Sequence, residues 1–287
     1  MSPDDTLRIR NMTDLVLQSP GLTLETVTSF TSRIGREPAS FLKGCARWRD
    51  VRPDPSLVQQ AEAARADIAF VPVGRRLADF RLVVMDMDST LITIECIDEI
   101  ADMIGVKPQV AAITEAAMRG ELDFPAALRR RVALLEGLEE DALQKVYDER
   151  LHLSPGAEVM LSAMRAAGLK TLLVSGGFTF FTSRLKSRLG LDYALANTLE
   201  AAGGKLTGRV LGDIVDADRK AVELRRVCAE IGCDPSQAIA IGDGANDLKM
   251  MHAAGVGVAY HAKPVVRHQA THALNVTGLD GVLNLFH

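Results

Sequence analysis

At 287 residues, 47% hydrophobic and 24% charged, the chain can hold one large domain, or one domain with a smaller companion, around a buried core. A formal net charge of −4 gives no general attraction for nucleic acid or acidic membranes, so an anion would need a local site. The four cysteines, Cys45, Cys96, Cys228 and Cys233, lack Cys-x-x-Cys spacing and read as buried thiols of a reducing compartment. Met1–Asp5 lacks the basic start of a signal peptide, and no apolar run approaches the ~20 residues of a membrane span. The expectation is a soluble, cytoplasmic protein without nucleic-acid or membrane partners.

Residues from about Leu7 to Pro72 read as a small separate α+β unit, which sets a first domain over 1–75. Residues 13–17 read as a strand. A helix follows Thr23, opening as a capping box with a Thr cap and a Glu behind it. Residues 41–51 read as one extended stretch, 55–66 as an amphipathic helix and 67–73 as a strand. No cluster of reactive residues lies here. The unit reads either as a packing or oligomerising module, giving a homodimer, or as similar to ACT-type ligand-sensing domains.

The chain is organised around the next stretch. Leu82, Val83 and Val84 form an apolar run of the kind that makes a buried strand, and it ends abruptly in Asp86 and Asp88. In open α/β sheets the C-terminal strand edge is where ligands bind. Two residues apart, the carboxylates can converge on one cation or phosphate. The pattern then turns helical over 94–103, 107–119, 124–135 and 139–146 with no strand between, which predicts an inserted cap at about 92–152 covering the acidic site.

The βα rhythm resumes with a helix over 157–167 and a strand over 170–177 that ends in Ser175-Gly-Gly. A hydroxyl and free backbone N–H groups opening a helix make an oxyanion cradle. Residues 193–198 and 205–210 read as a hairpin. Lys220 sits in the first turn of a helix opened by Asp218, where the helix dipole disfavours a cation, so an anionic partner is expected for it. A buried strand over 238–241 ends in Gly242-Asp-Gly-Ala-Asn-Asp247, a second strand edge carrying acids. Residues 255–258 read as a last short strand. His268 and His272, four apart with no third ligand nearby, read as surface residues on a helix.

Four features thus recur at strand ends in order: Asp86-Met-Asp-Ser-Thr-Leu, Ser175, Lys220, and Gly242 to Asp247. In type and order they resemble the four motifs of the haloacid-dehalogenase-type phosphatases, over roughly residue 81 to the C-terminus. The resemblance implies a Rossmann-like doubly wound parallel sheet with an inserted helical cap over 76–287, behind the small N-terminal domain. It implies Asp86 as nucleophile and Asp88 as general acid and base. It also implies Mg²⁺ held by Asp86, Asp243 and the backbone carbonyl of Asp88, with Asp247 orienting the metal shell and Lys220. Ser175, the N–H of Gly176 and Lys220 would hold the phosphoryl group, and Asn246 is a further substrate-binding residue.

Within that superfamily the cap is most similar to phosphoserine phosphatases, through Ile94-Glu95, Met118, Phe124 and Arg131. There the glutamate meets the substrate ammonium and the arginine its carboxylate, while Met118 and Phe124 keep water out. This implies hydrolysis of O-phospho-L-serine to L-serine, the last step of serine biosynthesis, with serine as a feedback ligand if the N-terminal unit is regulatory. Arg131 lies inside Arg129-Arg-Arg, and spacing alone does not single it out. Other readings stay open: a phosphatase for another small phosphomonoester, a phosphotransferase that passes the group to an alcohol, or a non-catalytic amino-acid sensor.

Overall fold

The computed structural model describes residues 12–42 and 44–287; Met1–Asp5 and the start of the first unit at Leu7 lie outside the described residues. Residues 13–72 run β1 (Thr13–Gln18), α1 (Leu24–Ile34), β2 (Ser40–Leu42), β3 (Cys45–Val51), α2 (Pro55–Ala63) and β4 (Asp67–Pro72). The strands form an antiparallel sheet in the order β2-β3-β1-β4. Strand alternation divides its two faces. Leu15, Leu17 and Trp48 pack under Val27 and Phe30 of α1 and Leu57 of α2, while Val16, Ala69 and Val71 join the core of the rest of the molecule. Two expectations change. Thr23 Oγ1 accepts from Thr26 N at 3.2 Å, and the residue three beyond the cap is Thr26, so Glu25 closes no capping box. The single extended stretch is a hairpin, because Gly44 turns the chain at φ +74°, where a Cβ would meet the Ser19 carbonyl oxygen.

The larger body begins with β5 (Leu82–Met85) and continues through four helices, α3 (Cys96–Met103), α4 (Lys107–Met118), α5 (Phe124–Ala133) and α6 (Asp141–Glu149). Then come α7 (Ala157–Ala166), β6 (Lys170–Phe178), α8 (Thr179–Leu189), β7 (Tyr193–Ala202), β8 (Lys205–Leu211) and α9 (Ala217–Ile231). The chain closes with β9 (Ala238–Gly242), α10 (Leu248–Ala253), β10 (Val256–Tyr260), α11 (Pro264–Arg267) and β11 (His272–Leu274). The sheet order is β11-β10-β9-β5-β6-β7-β8, parallel except for β8. This is the doubly wound core expected from sequence. The chain leaves β5 first to one side and later to the other, so a switch-point crevice opens at the C-terminal ends of β5, β6 and β9. β5 is buried on both faces, Val83 and Met85 in one core and Leu82 and Val84 in the other. That explains its unbroken apolar run. Helices α3–α6 leave and rejoin beside each other, since Ile92 bridges Leu153 and Thr93 N donates to His152 O at 3.0 Å.

No helix among the described residues is long and apolar enough to cross a membrane. All four cysteines are free; Cys96 and Cys228 are buried, while Cys45 and Cys233 are half-buried. The histidine expectation is corrected. His272 is a buried residue of β11, and only His268, beyond α11, is exposed. Arg75 Nη1 lies 3.1 Å from His272 Nε2 and can only donate, so the imidazole is neutral and accepts. Burial, helped by the Arg75 charge, pushes the His272 pKa down to about 4. Unfolding releases an imidazole of pKa about 6.5, so between these values the unfolded chain binds the extra proton and stability falls with falling pH. Denaturant midpoints at pH 7 and 5 should show the wild type losing about 2 kcal/mol more than His272→Gln. Equal losses would remove His272 as the cause.

Candidate active site

The site assembles where three strands end. Asp86 directly follows β5, with its N–H still bonded across the sheet to Ile241 O at 3.0 Å. A single wide turn over Met87–Leu91 follows, in which Ser89 takes the left-handed φ of +53°. Asp86 caps that turn, its Oδ1 accepting from Met87 N at 2.8 Å. Asp88 Oδ1 accepts from Cys96 N at 2.9 Å, which ties the carboxylate to the first cap helix, and its Oδ2 accepts from Ser175 Oγ at 3.3 Å. At the end of β6, Ser175 Oγ in turn accepts from Gly177 N at 2.8 Å. The two glycines allow close approach of neighbouring side chains. A Cβ on Gly177 would lie 2.6 Å from Asp88 Oδ2, and one on Gly176 would lie 2.8 Å from the Phe124 ring.

Beyond β9, Asp247 is fully buried and accepts from Gly244 N through Oδ2 at 3.1 Å. A Cβ on Gly242 would overlap that carboxylate, so glycine lets the strand end fold over it. Lys220 in the first turn of α9 is 1% exposed and finds two anionic partners, Asp86 Oδ1 at 2.8 Å and Asp247 Oδ1 at 2.7 Å. The dipole argument therefore pointed to a real pair. Two residues hold the frame, Asn197, which sequence reasoning passed over, and Thr90, which it quoted within the first motif without a role. Buried Asn197 donates to Gly176 O at 2.7 Å and accepts from Val215 N at 2.8 Å, and Thr90 Oγ1 donates to Asp243 Oδ1 at 3.2 Å. No spacing signal marks Asn197, since its partners are brought together only by the fold.

The electrostatics are unbalanced. Ligand-capable oxygens of Asp86, Asp243 and Asp247 lie within 4.8 Å of one another, and Asp88 stands beside them, against the one ammonium of Lys220. Burial pushes the Asp86 carboxyl well above the usual range, and the Asp247 charge adds to this against the pull of Lys220. Asp243 is pushed to about 6 by burial and then by Asp247. Burial would lower the Lys220 pKa, but Asp247 and Asp86 together raise it above the ordinary lysine range, so Lys220 is charged. Crowded hard-oxygen donors with too little positive charge fit a small divalent cation.

A cleft of about 720 Å³ joins Asp86, Asp88, Asp243 and Asn246 to Glu95, Met118, Phe124 and Arg131 of the cap, with Gly176 between them. Glu95 accepts from Ser89 Oγ at 2.7 Å, and burial followed by the Asp88 charge pushes it up to about 7. Arg131 is half-buried, and its Nε is shielded from solvent without a partner among the described residues. Burial lowers its pKa against the charges of Asp98, Glu95 and Asp88. One expectation shifts: Met118 lines the cleft but is 66% exposed, so in this arrangement it does not seal it.

A family model described as haloacid dehalogenase-like hydrolase matches residues 83–252. A phosphoserine phosphatase from a Polaromonas species is 56% identical over 215 residues, which are 73% of this chain and 91% of the relative. A crystal structure of a probable phosphoserine phosphatase from Vibrio cholerae, unliganded, superposes with a TM-score of 0.83 at 37% identity, covering 98% of this chain and 92% of that one. A substrate-bound phosphoserine phosphatase complex matches 72% of this chain and 99% of its own at 36% identity, with a TM-score of 0.68. With its motifs gathered at one crevice and these likenesses beside them, the chain belongs to the haloacid dehalogenase-like hydrolases, among its phosphoserine phosphatase relatives.

Proposed function

We propose that the protein is a cytoplasmic, Mg²⁺-dependent phosphoserine phosphatase that hydrolyses O-phospho-L-serine to L-serine and phosphate. The observation that carries the substrate is Arg131. A shielded guanidinium N–H without an acceptor costs about 1–3 kcal/mol unless a ligand supplies one. A substrate carboxylate does so. Glu95, poised near pH 7, balances the substrate ammonium in the same cleft. Phe124 and Met118 form the apolar part of that wall.

The first step needs Asp86 as its carboxylate, which the Lys220 contact and a bound divalent cation would favour against burial, so that no base is required. Asp86 Oδ1 is engaged by Met87 N and Lys220, which leaves Oδ2 to attack phosphorus. The phosphorus–oxygen bond to serine breaks and the leaving oxygen takes a proton from Asp88, whose pKa burial raises against the Cys96 and Ser175 hydrogen bonds. Water then attacks the aspartyl-phosphate, giving its proton back to Asp88, and phosphate leaves. Ser175, the Gly176 N–H, Lys220 and Asn246 hold the phosphoryl oxygens. Asp86, Asp243 and the Asp88 carbonyl would hold Mg²⁺, with Asp247 behind them, and the ion supplies charge neutralisation on the phosphoryl group. We also read residues 1–75 and 76–287 as separate domains, with a homodimer and serine feedback as roles open to the first.

Phosphate release from L-phosphoserine, phosphothreonine, phosphoethanolamine and a sugar phosphate tests the reading, with and without chelator. Phosphoserine should be strongly preferred, and chelator should abolish turnover until Mg²⁺ is returned. Arg131→Met should raise KM for phosphoserine about 10–100-fold but leave phosphoethanolamine, which has no carboxylate, nearly unchanged. Equal turnover of the sugar phosphate would remove the roles given to Glu95 and Arg131.

A further inference from the structure

One wall of the cleft has no part in the chemistry above: the stretch after β10, where His261, Lys263, Val265 and Val266 face the cap. Lys263 Nζ lies 3.9 Å from Met118 Sδ, its one polar contact among the described residues, so an exposed ammonium stands between body and cap at the mouth of the cleft. The other cations nearby have other work. Lys220, buried outside the cleft lining, is paired with Asp86 and Asp247, and Arg131, which lines the cleft, is the residue assigned above to the substrate carboxylate. A phosphomonoester arrives with about −1.5 to −2 charge on phosphorus alone, at a site already crowded with carboxylates. A free cation at the mouth is the group that offsets that repulsion on approach.

What holds this wall comes from the other sheet. His261 has φ +47°, a conformation uncommon for a residue with a side chain. It is fixed on two sides: His261 N donates to Leu274 O at 2.7 Å, and Nε2 donates to Thr277 O at 3.0 Å. The 275–277 loop is held in turn by Asp67, the first residue of β4, which is 4% exposed. Its carboxylate accepts from Asn275 N at 2.6 Å, Val276 N at 3.1 Å, Thr277 N at 2.9 Å and Thr277 Oγ1 at 2.8 Å. A buried carboxylate satisfied by consecutive backbone N–H groups of one loop fixes that loop's shape as well as its place. The connection is unbroken from the N-terminal sheet to the cleft.

We propose that Lys263 is a further substrate-recognising residue, drawing the anionic phosphomonoester into the cleft, and that Asp67 of the N-terminal sheet is its positioning residue, acting through Thr277 and His261. The N-terminal sheet thereby builds part of the catalytic site. The inference rests on the reading of the site as one for a small anionic phosphomonoester.

Kinetics of the full chain with phosphoserine, at ionic strengths from about 20 to about 200 mM, test it, since the screening length falls from about 20 to about 7 Å over that range. Lys263→Met should lower kcat/KM about tenfold at low salt, with the loss in KM, and should flatten the salt dependence. Lys263→Arg should restore both. Asp67→Asn should raise KM about three- to fivefold, and add nothing to it in the Lys263→Met background, because the two act as one unit. If Asp67→Asn does not fold, Thr277→Val, which deletes one of the four hydrogen bonds, takes its place with the same direction expected. Wild-type KM and salt slope in Lys263→Met would overturn the proposal. So would an Asp67 or Thr277 variant that loses melting temperature and keeps KM. If the wild type does not turn over phosphoserine, the substrate reading fails by itself, and the same series is decided on the phosphomonoester it does hydrolyse.

Discussion

Asp86→Asn should cut phosphate release from phosphoserine by a factor of at least about 10⁴ while leaving a folded protein. The amide has the shape of the carboxylate but lacks the charge and the nucleophilic lone pair, so no aspartyl-phosphate can form. The fold should survive because Lys220 keeps Asp247 at 2.7 Å, and the amide oxygen can still accept from Met87 N and Lys220. Stability should hold or rise, since the change removes one of the carboxylates whose mutual repulsion and burial raise the Asp86 pKa. Three readouts check this together: the phosphate release rate, the melting temperature, and acid-trapped phosphoenzyme, which the variant should lack. Release within tenfold of the wild type, from a preparation free of reversion to aspartate, would remove Asp86 as nucleophile.

The parts of the site that sequence reasoning reached are those where a local pattern carries its own physical contradiction. An apolar strand has no use for Asp86 at its end, and a helix start has no use for Lys220. Each conflict requires a partner, and the two residues prove to be each other's partner at 2.8 Å. Gly242 was legible for a related reason, as a glycine at a strand end that allows close backbone approach, whereas Gly177 was read only as part of an N–H cradle and its closeness to Asp88 emerges from the fold. Arg131 was different. Within a run of three arginines only the packing of α5 decides that Arg131 turns inward while Arg129 and Arg130 stay exposed, and the family likeness, not the spacing, picked it out. His272 was misread because a spacing of four suggests a helix, whereas pairing with Tyr260's strand makes its segment β11. Asn197, the 261–266 wall and the Asp67 clasp left no trace in the sequence. Their meaning lies in contacts between residues as far apart as Asp67 and Thr277, which only the assembled fold creates.

Asp88→Asn should separate the two halves of the reaction. Against phosphoserine it should lower kcat by about 10² to 10⁴, because the serine oxygen leaves as an alkoxide unless it is protonated. The environment distinguishes this carboxyl from Asp86. Burial raises both carboxyls, but Asp86 is in direct contact with the charged Lys220 at 2.8 Å, whereas Asp88 is held by one backbone N–H and one hydroxyl with no cation against it among the described residues. Asparagine keeps the acceptor for Cys96 N and so preserves the tie between site and cap. An aryl phosphate such as p-nitrophenyl phosphate expels a stable phenolate and needs no proton for the first step. The variant should therefore release close to one equivalent of p-nitrophenol per enzyme in a burst and then stall, because no base remains to activate the water that opens the aspartyl-phosphate. Stopped-flow absorbance reads the burst, and quenched samples read the accumulated phosphoenzyme. Equal losses on both substrates with no burst would mean that Asp88 handles neither proton, and its pairing with Ser175 and Cys96 would then serve only to hold the cap in place.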